Sequence, residues 1–143
     1  MKTYMLDTNI CSFIMREHPI HVIQHLEAAV KSRSRIVVSA ITYAEMRYGA
    51  INPKAPKRVE GMVSSFIKRL DAVLPWGAEA IDRCVAIRKE LARRGTPIGE
   101  NDAAIAGHAL SSDCILVTNN TREFARVDGL EIVDWRALET ALR

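Results

Sequence analysis

The chain has 143 residues, of which 48% are hydrophobic and 26% are charged, a composition ordinary for a globular protein with one self-sufficient core. No apolar run reaches the roughly 20 residues that a membrane-spanning helix needs, and no basic-then-apolar signal pattern opens the chain, so we expect a single domain over residues 1–143 in the cytoplasm, without a membrane partner. The net charge of +3 permits a nucleic-acid partner without establishing one, and the three scattered cysteines form no C-x-x-C pair, which argues against a disulfide framework or a thiolate zinc site.

The first ten residues predict a buried strand that ends in helix-start residues. Thr3 to Leu6 form the strand, and Asp7, Thr8 and Asn9 are residue types that open helices. A carboxylate at the carboxyl end of a first parallel strand lies where open α/β sheets place their chemistry. Taken alone, this stretch favours the simpler interpretation that Asp7 or Thr8 is only a helix cap. If further carboxylates converge on Asp7 they require a cation, and oxygen ligands suit Mg²⁺ or Mn²⁺.

A second carboxylate is predicted on the helix that follows the second strand. Ile36 to Val38 form that strand, and Ser39 caps a helix over 41–51. Glu45 lies on the apolar face of this helix, where a carboxylate needs a partner. A boundary side chain that reaches solvent explains the same pattern, and the residues alone leave both interpretations open.

The middle of the chain predicts two helices separated by a third strand, residues 72–76. The first helix, Lys57 to Leu70, carries an apolar stripe that is ordinary core or, in part, a surface for a partner chain. The stripe comprises Val59, Met62, Val63, Phe66, Ile67 and Leu70. The second helix, Glu79 to Arg94, is the densest basic surface of the chain, which makes it a candidate for phosphate contact or simply a solvated face.

A third carboxylate opens the helix after a glycine- and proline-containing loop. Asn101 and Asp102 begin that helix, whose small side chains permit close packing on the sheet. Asp102 is a site candidate or only a cap. The next strand, residues 115–117, is followed by Thr118, Asn119 and Asn120, which are turn residues by default but also neutral oxygen donors.

Short apolar strands alternate with helices along the whole chain, which predicts an α/β fold with a parallel sheet covered on both faces. A fifth strand covers residues 130–133, and Asp134 caps a terminal helix that includes Trp135, Leu138 and Leu142. Right-handed crossovers would allow the polar candidates to gather at one edge of the sheet. Those candidates are Asp7, Glu45, Asp102 and Asn120.

Four motifs carry a resemblance to a known family. They read L-D-T-N (6–9), S-A-I-T-Y-A-E-M-R-Y-G (39–49), T-P-I-G-E-N-D-A-A-I-A-G-H-A (96–109) and L-V-T-N-N-T-R-E-F (116–124). In order and spacing they resemble PIN-domain ribonucleases, and more closely the VapC toxins of bacterial toxin–antitoxin pairs. The T-N-N and T-P-I-G forms resemble the enteric subgroup. The resemblance runs nearly end to end.

The resemblance implies a PIN-like three-layer α/β/α fold with a central parallel sheet of four to five strands. It implies an endoribonuclease that depends on Mg²⁺ or Mn²⁺ and is inhibited by a VapB antitoxin. The apolar stripe of residues 59–67 would form a groove for an antitoxin helix or the surface of a homodimer, and the sequence leaves both open. The family's first three acidic positions fall on Asp7, Glu45 and Asp102, which would hold the metal. Its fourth position falls on Asn120, a departure because an amide oxygen brings no charge. Supporting roles fall on Thr8, Asn9, Thr118 and Asn119.

The enteric resemblance implies that the substrate is initiator tRNA, cut in the anticodon loop. Arg47, Arg88 and Arg93 would position its phosphates without reading the sequence. One alternative is a non-catalytic nucleic-acid- or protein-binding module whose carboxylates are structural. Another is phosphate transfer through an Asp nucleophile, which requires a D-x-D after the first strand. The chain has Asp7-Thr8-Asn9 there instead, and this ranks the third hypothesis below the nuclease.

Overall fold

In the computed structural model, which describes residues 1–137, five parallel strands form one sheet with helices on both faces. The strands are β1 (Thr3–Leu6), β2 (Arg35–Ser39), β3 (Ala72–Leu74), β4 (Ile115–Val117) and β5 (Ile132–Val133). The helices are α1 (Thr8–Arg16), α2 (Ile20–Lys31), α3 (Ala40–Ala50), α4 (Arg58–Arg69), α5 (Ala78–Arg93), α6 (Glu100–Ser111) and α7 (Thr121–Phe124). The predicted α/β class and three-layer parallel architecture are confirmed. No helix within these residues is long and apolar enough to cross a membrane.

The sheet divides the core into two layers because successive side chains of a strand point to opposite faces. On β1, Leu6 packs into the layer that contains α1, α2 and α4, whereas Met5 packs into the layer that contains α5 and α6. The short apolar strands are thus buried on both sides, which is why they read as continuous hydrophobic runs without alternation. The stripe on α4 belongs largely to this core, since Val63 and Phe66 are 2% and 4% exposed.

Close packing of α5 on α6 fixes the position of α6. A Cβ atom added to Gly107 would lie 2.6 Å from the backbone nitrogen of Cys84 and 3.0 Å from the carbonyl oxygen of Ala80. Any side chain at this position would therefore force the two helices apart. The small residues noted in the sequence serve this contact, and they place the amino end of α6 beside the carboxyl edge of the sheet.

The carboxyl-terminal part of the described chain differs from the prediction. The fifth strand is shorter than expected, covering Ile132–Val133, and the residues from Asp134 to 137 form a turn. Trp135 is 3% exposed and packs its ring 5.3 Å from that of Tyr4. Leu138 and Leu142, which the sequence assigned to a terminal helix, lie outside the described residues.

Candidate active site

A crevice forms where the chain changes its direction of travel across the sheet. The strand order is β3-β2-β1-β4-β5, so β2 and β3 lie on one side of β1, and β4 and β5 lie on the other. In open parallel sheets the crevice at such a point, beyond the carboxyl ends of the strands, is where ligands bind. Because Leu6 on β1 pairs in register with Val117 on β4, Asp7 and Thr118 emerge there side by side.

Asp7 is a buried carboxylate that both caps α1 and faces the crevice. It is 6% exposed. Its Oδ1 accepts from the backbone N–H of Thr8 at 2.8 Å, and its Oδ2 accepts from the hydroxyl of Thr118 at 2.8 Å. Burial raises the pKa of Asp7, these two hydrogen bonds oppose the rise, and the charge of Glu45 adds to it. Asp7 is therefore both the helix cap and the site candidate. One of its oxygens is bonded to Thr8, after β1, and the other to Thr118, after β4.

Glu45 reaches the same crevice from α3. The hydroxyl of Thr8 donates to its Oε1 at 2.6 Å, and the side-chain amide of Asn101 donates to its Oε2 at 3.2 Å. The carboxylate is half-buried and its partners belong to α1 and α6. Of the two interpretations that the sequence left open, the structure favours the partnered carboxylate over a side chain that extends into solvent.

Asp102 and Asn120 meet at the other wall of the crevice, together with a carboxylate that the sequence reasoning missed. The side-chain amide of Asn120 donates to Asp102 Oδ2 at 3.2 Å and to Glu123 Oε2 at 3.0 Å. Glu123 lies on α7, three residues after Asn120, and so faces the crevice from the next helical turn. The motif T-N-N-T-R-E contains this acid, but three residues after the position that the family resemblance assigns to the fourth acid.

The carboxyl groups of the crevice repel one another, which indicates that they need a proton or a cation. Burial raises the pKa of Asp102 to about 7, and a hydrogen bond to Glu123 and the charges of Asp7, Glu123 and Glu45 add to the rise. The hydrogen bonds from Asn120 and Asp102 lower the pKa of Glu123. The two pKa values of this pair are therefore moved in opposite directions, with that of Asp102 raised and that of Glu123 lowered.

The supporting residues divide into an inner and an outer pair. Inside, the Thr118 hydroxyl donates to Asp7 and accepts from the backbone N–H of Asn120 at 3.0 Å, so this residue joins both walls of the crevice. At the outer edge, the amide of Asn9 lies 3.5 Å from Oδ1 of Asn119, at the limit of a hydrogen bond. The inner threonine is therefore held by two hydrogen bonds, whereas the outer pair is exposed and joined by one long contact.

The three arginines selected from the sequence lie in different surroundings. Arg47 donates to the hydroxyls of Ser64 and Tyr43, between α3 and α4. Arg93 is paired with Glu90 on its own helix. Only Arg88 approaches the candidate site, since its guanidinium lies 3.4 Å from Glu100, at the start of the helix that carries Asp102.

The donor set suits a hard divalent cation, because every acidic group in the crevice is a carboxylate and the neutral neighbours are hydroxyls and amides. Within residues 1–137 no three acidic, histidine or cysteine side chains are already arranged to hold one metal ion. The chemistry of the crevice residues nevertheless fits such an ion.

Comparisons with known proteins extend over nearly the whole chain. Residues 4–130 match the PIN domain family. The chain is 44% identical over 135 residues to the tRNA(fMet)-specific endonuclease VapC of Salmonella typhimurium, covering 94% of this chain and 99% of that protein. It is 36% identical over 132 residues to ribonuclease VapC2 of Rickettsia felis, covering 92% of this chain and 97% of the relative.

Solved structures give the same result. DNA-bound VapBC from Salmonella typhimurium matches with a TM-score of 0.84 at 42% identity, covering 94% of this chain and 99% of that chain. VapBC2 from Rickettsia felis, bound to a DNA fragment from its promoter, matches with a TM-score of 0.84 at 34% identity, covering 93% of this chain and 98% of the other. The matched residues include every segment that lines the crevice.

Proposed function

Because this chain belongs to the PIN-domain family, in the branch of the VapC ribonucleases, we propose that it is the toxin of a VapBC pair, a ribonuclease that uses Mg²⁺ or Mn²⁺. The observation that carries the metal is the convergence of Asp7, Glu45, Asp102 and Glu123 on one crevice, with the pKa of Asp102 raised to about 7. Carboxylates arranged in this way are stabilised by a cation more than by any neutral ligand.

The residues of the chain prepare the crevice for phosphodiester hydrolysis. The hydroxyls of Thr118 and Thr8 hold Asp7 and Glu45, and the amide of Asn120 holds the Asp102–Glu123 pair. A bound divalent ion supplies the charge that stabilises the scissile phosphate and activates a water. Asp7, Glu45, Asp102 and Glu123 would hold this ion, and its charge would favour the ionised form of Asp102.

Glu123 supplies the negative charge that Asn120 lacks. The amide of Asn120 donates toward both Asp102 and Glu123, so its nitrogen faces these carboxylates and its role is to orient them. We assign the fourth acidic role to Glu123 and an orienting role to Asn120. A charged pair at this wall extends the site beyond the three acids named from the motifs.

The proposed substrate is tRNA, and initiator tRNA in particular, because relatives at 44% and 42% identity are named tRNA(fMet)-specific endonucleases. Arg88 and Arg122 are the basic side chains best placed to position its phosphates. Arg122 directly precedes Glu123, is exposed, and has no hydrogen bond or salt bridge to another of residues 1–137. Arg47 and Arg93 are engaged elsewhere, which makes them weaker candidates for this role.

The proposed partner is a VapB antitoxin, because the solved relatives are VapBC complexes. Homodimer formation, which the sequence analysis based on the apolar stripe of α4, stays a prediction. Val63 and Phe66 are buried in the core, so neither can anchor a partner chain.

The test is cleavage of total tRNA by the purified, antitoxin-free protein, with the new ends mapped by sequencing. Asp102→Asn is compared with Asp82→Asn, an exposed acid on α5, as the matched control. One discrete cut that is Mg²⁺-dependent, lost in Asp102→Asn and kept in Asp82→Asn supports the proposal. Cleavage by Asp102→Asn refutes the site. No cleavage together with no metal binding favours the binding-module alternative.

A further inference from the structure

A buried histidine ties the helix of Asp102 to the strand that leads into the helix of Glu45. His108 lies in the last turn of α6 and is 2% exposed. Its Nδ1 lies 2.7 Å from Oγ of Ser39, at the end of β2. The same Oγ accepts from the backbone N–H of Ile41 at 3.0 Å and so caps α3. One hydroxyl thus joins three elements of the fold.

Three elements of the fold surround the ring of His108. Its Nδ1 and Oγ of Ser39 share a hydrogen bond of 2.7 Å, in which the tautomer of the ring decides the donor. Burial lowers the pKa of the imidazole, and a hydrogen bond to the backbone carbonyl of Pro75, just beyond β3, opposes the fall. The ring of Trp76 lies edge-on to the imidazole, with 5.6 Å between the ring centroids. The imidazole is therefore held from β2, from the end of β3 and from its own helix.

These contacts fix α6 relative to α3. Glu45 follows Ser39 by six residues on α3, and Asp102 precedes His108 by six residues on α6, which is about 9 Å along each helix. A second contact joins the two helices at the crevice, where Asn101 donates to Glu45 at 3.2 Å. That outer bond is exposed, whereas the Ser39–His108 bond is buried and shorter. The buried Ser39–His108 bond therefore holds the two helices at the distance at which Asn101 reaches Glu45.

We propose that His108 is a positioning residue: through Ser39 it sets the separation between Glu45 and Asp102, and thereby the affinity of the crevice for a divalent ion. The effect on metal affinity rests on the proposed function. The effect on the separation between Glu45 and Asp102 does not, because it can be measured without a metal. A merely structural histidine would contribute to stability alone. Residues that orient metal ligands change metal affinity when removed, by about 10-fold or more.

The test uses His108→Leu and Ser39→Ala, alone and combined, in the full chain. The control is Asp71→Ala, which removes a hydrogen bond of the same length, 2.7 Å to the backbone N–H of Ile36, at the amino edge of the sheet away from the crevice. Two quantities are measured on the RNA-free protein. One is Mn²⁺ affinity by electron paramagnetic resonance, and the other is the side-chain amide signal of Asn101 in a metal-free ¹H–¹⁵N spectrum.

The expected result is a loss of Mn²⁺ affinity of about 10-fold in each single variant, with no further loss in the double variant because both remove the same link. The Asn101 signal moves in these variants. Asp71→Ala lowers the melting temperature and changes neither quantity. Unchanged Mn²⁺ affinity and an unchanged Asn101 signal in folded variants would overturn the proposal, and Ser39→Ala decides alone if His108→Leu does not fold. If the wild type binds no Mn²⁺, the proposed function fails, and the Asn101 signal still decides whether His108 positions the helices.

Discussion

Replacing Asp102 by Asn should stabilise the metal-free protein above pH 7 while it abolishes cleavage. Burial, Glu123 and the other acids of the crevice raise the pKa of Asp102 from 3.8 to about 7. The folded chain therefore holds a proton that the unfolded chain has already released. The contribution of this group to the free energy of unfolding is greatest below pH 4, falls between pH 4 and pH 7, and stays low above pH 7.

The size of the effect follows from this change of pKa and from the openness of the crevice. A move from 3.8 to about 7 corresponds to about 4 kcal/mol for a fully buried carboxylate. Asp102 is only half-buried, so solvent and salt reduce the penalty to about 1–2 kcal/mol. For a protein of 143 residues this is about 3–8 °C in melting temperature.

The assay is thermal unfolding followed by circular dichroism in EDTA at pH 4 and pH 8. We expect Asp102→Asn to melt above the wild type at pH 8 and close to it at pH 4, where the wild-type side chain is protonated in the folded chain and largely protonated in the unfolded chain. Mg²⁺ at pH 8 should then raise the melting temperature of the wild type more than that of the variant. A variant that is no more stable than the wild type at pH 8, or Asp82→Asn behaving in the same way, would refute the reasoning.

Further predictions concern the wall of the crevice, its approach and its support. Glu123→Gln should reduce cleavage at least about 100-fold at low Mg²⁺ and recover partly at high Mg²⁺, as measured by a Mg²⁺ titration of the rate, because one negative ligand is lost. Arg122→Ala should weaken tRNA binding and lower the slope of its salt dependence by about one ion, as measured by filter binding over a series of salt concentrations. The control is Arg93→Ala, which should change neither quantity because Arg93 is already paired with Glu90. Equal effects of the two variants would contradict the assignment. Gly107→Ala should destabilise the fold by about 1–3 kcal/mol in urea unfolding because its Cβ overlaps the backbone of Cys84, and a neutral result would disprove the helix contact.

The sequence predicted those parts of the site that local chemistry determines. Asp7 follows a strand and opens a helix, so its position at the sheet edge could be deduced from parallel topology. Glu45 on an apolar face and Asp102 in a first helical turn were each ambiguous alone. The structure brings both carboxylates to the same crevice as Asp7, and only this long-range arrangement distinguishes a candidate metal site from isolated side chains.

The parts that the sequence missed depend on distances between segments far apart in the chain. The place of Glu123 in the crevice depends on α7, which turns its side chain toward Asp102 and Asn120. The phosphate contacts stay a prediction, and local charge density could not show that Arg93 is paired with Glu90 within its own helix. His108 belongs to one of the four motifs, but the role that we propose for it depends on Ser39, 69 residues earlier in the chain, and could not be deduced from the motif.

The most direct test of the central claim is the rate of initiator tRNA cleavage across a Mg²⁺ titration, for the wild type and for Asp7→Ala. The account predicts a saturable dependence on Mg²⁺, no cleavage in EDTA, and no cleavage by folded Asp7→Ala at any Mg²⁺ concentration, because the buried carboxylate between β1 and β4 is a ligand that no neighbour replaces. Cleavage by the wild type in EDTA, or by Asp7→Ala at the wild-type rate, would contradict it.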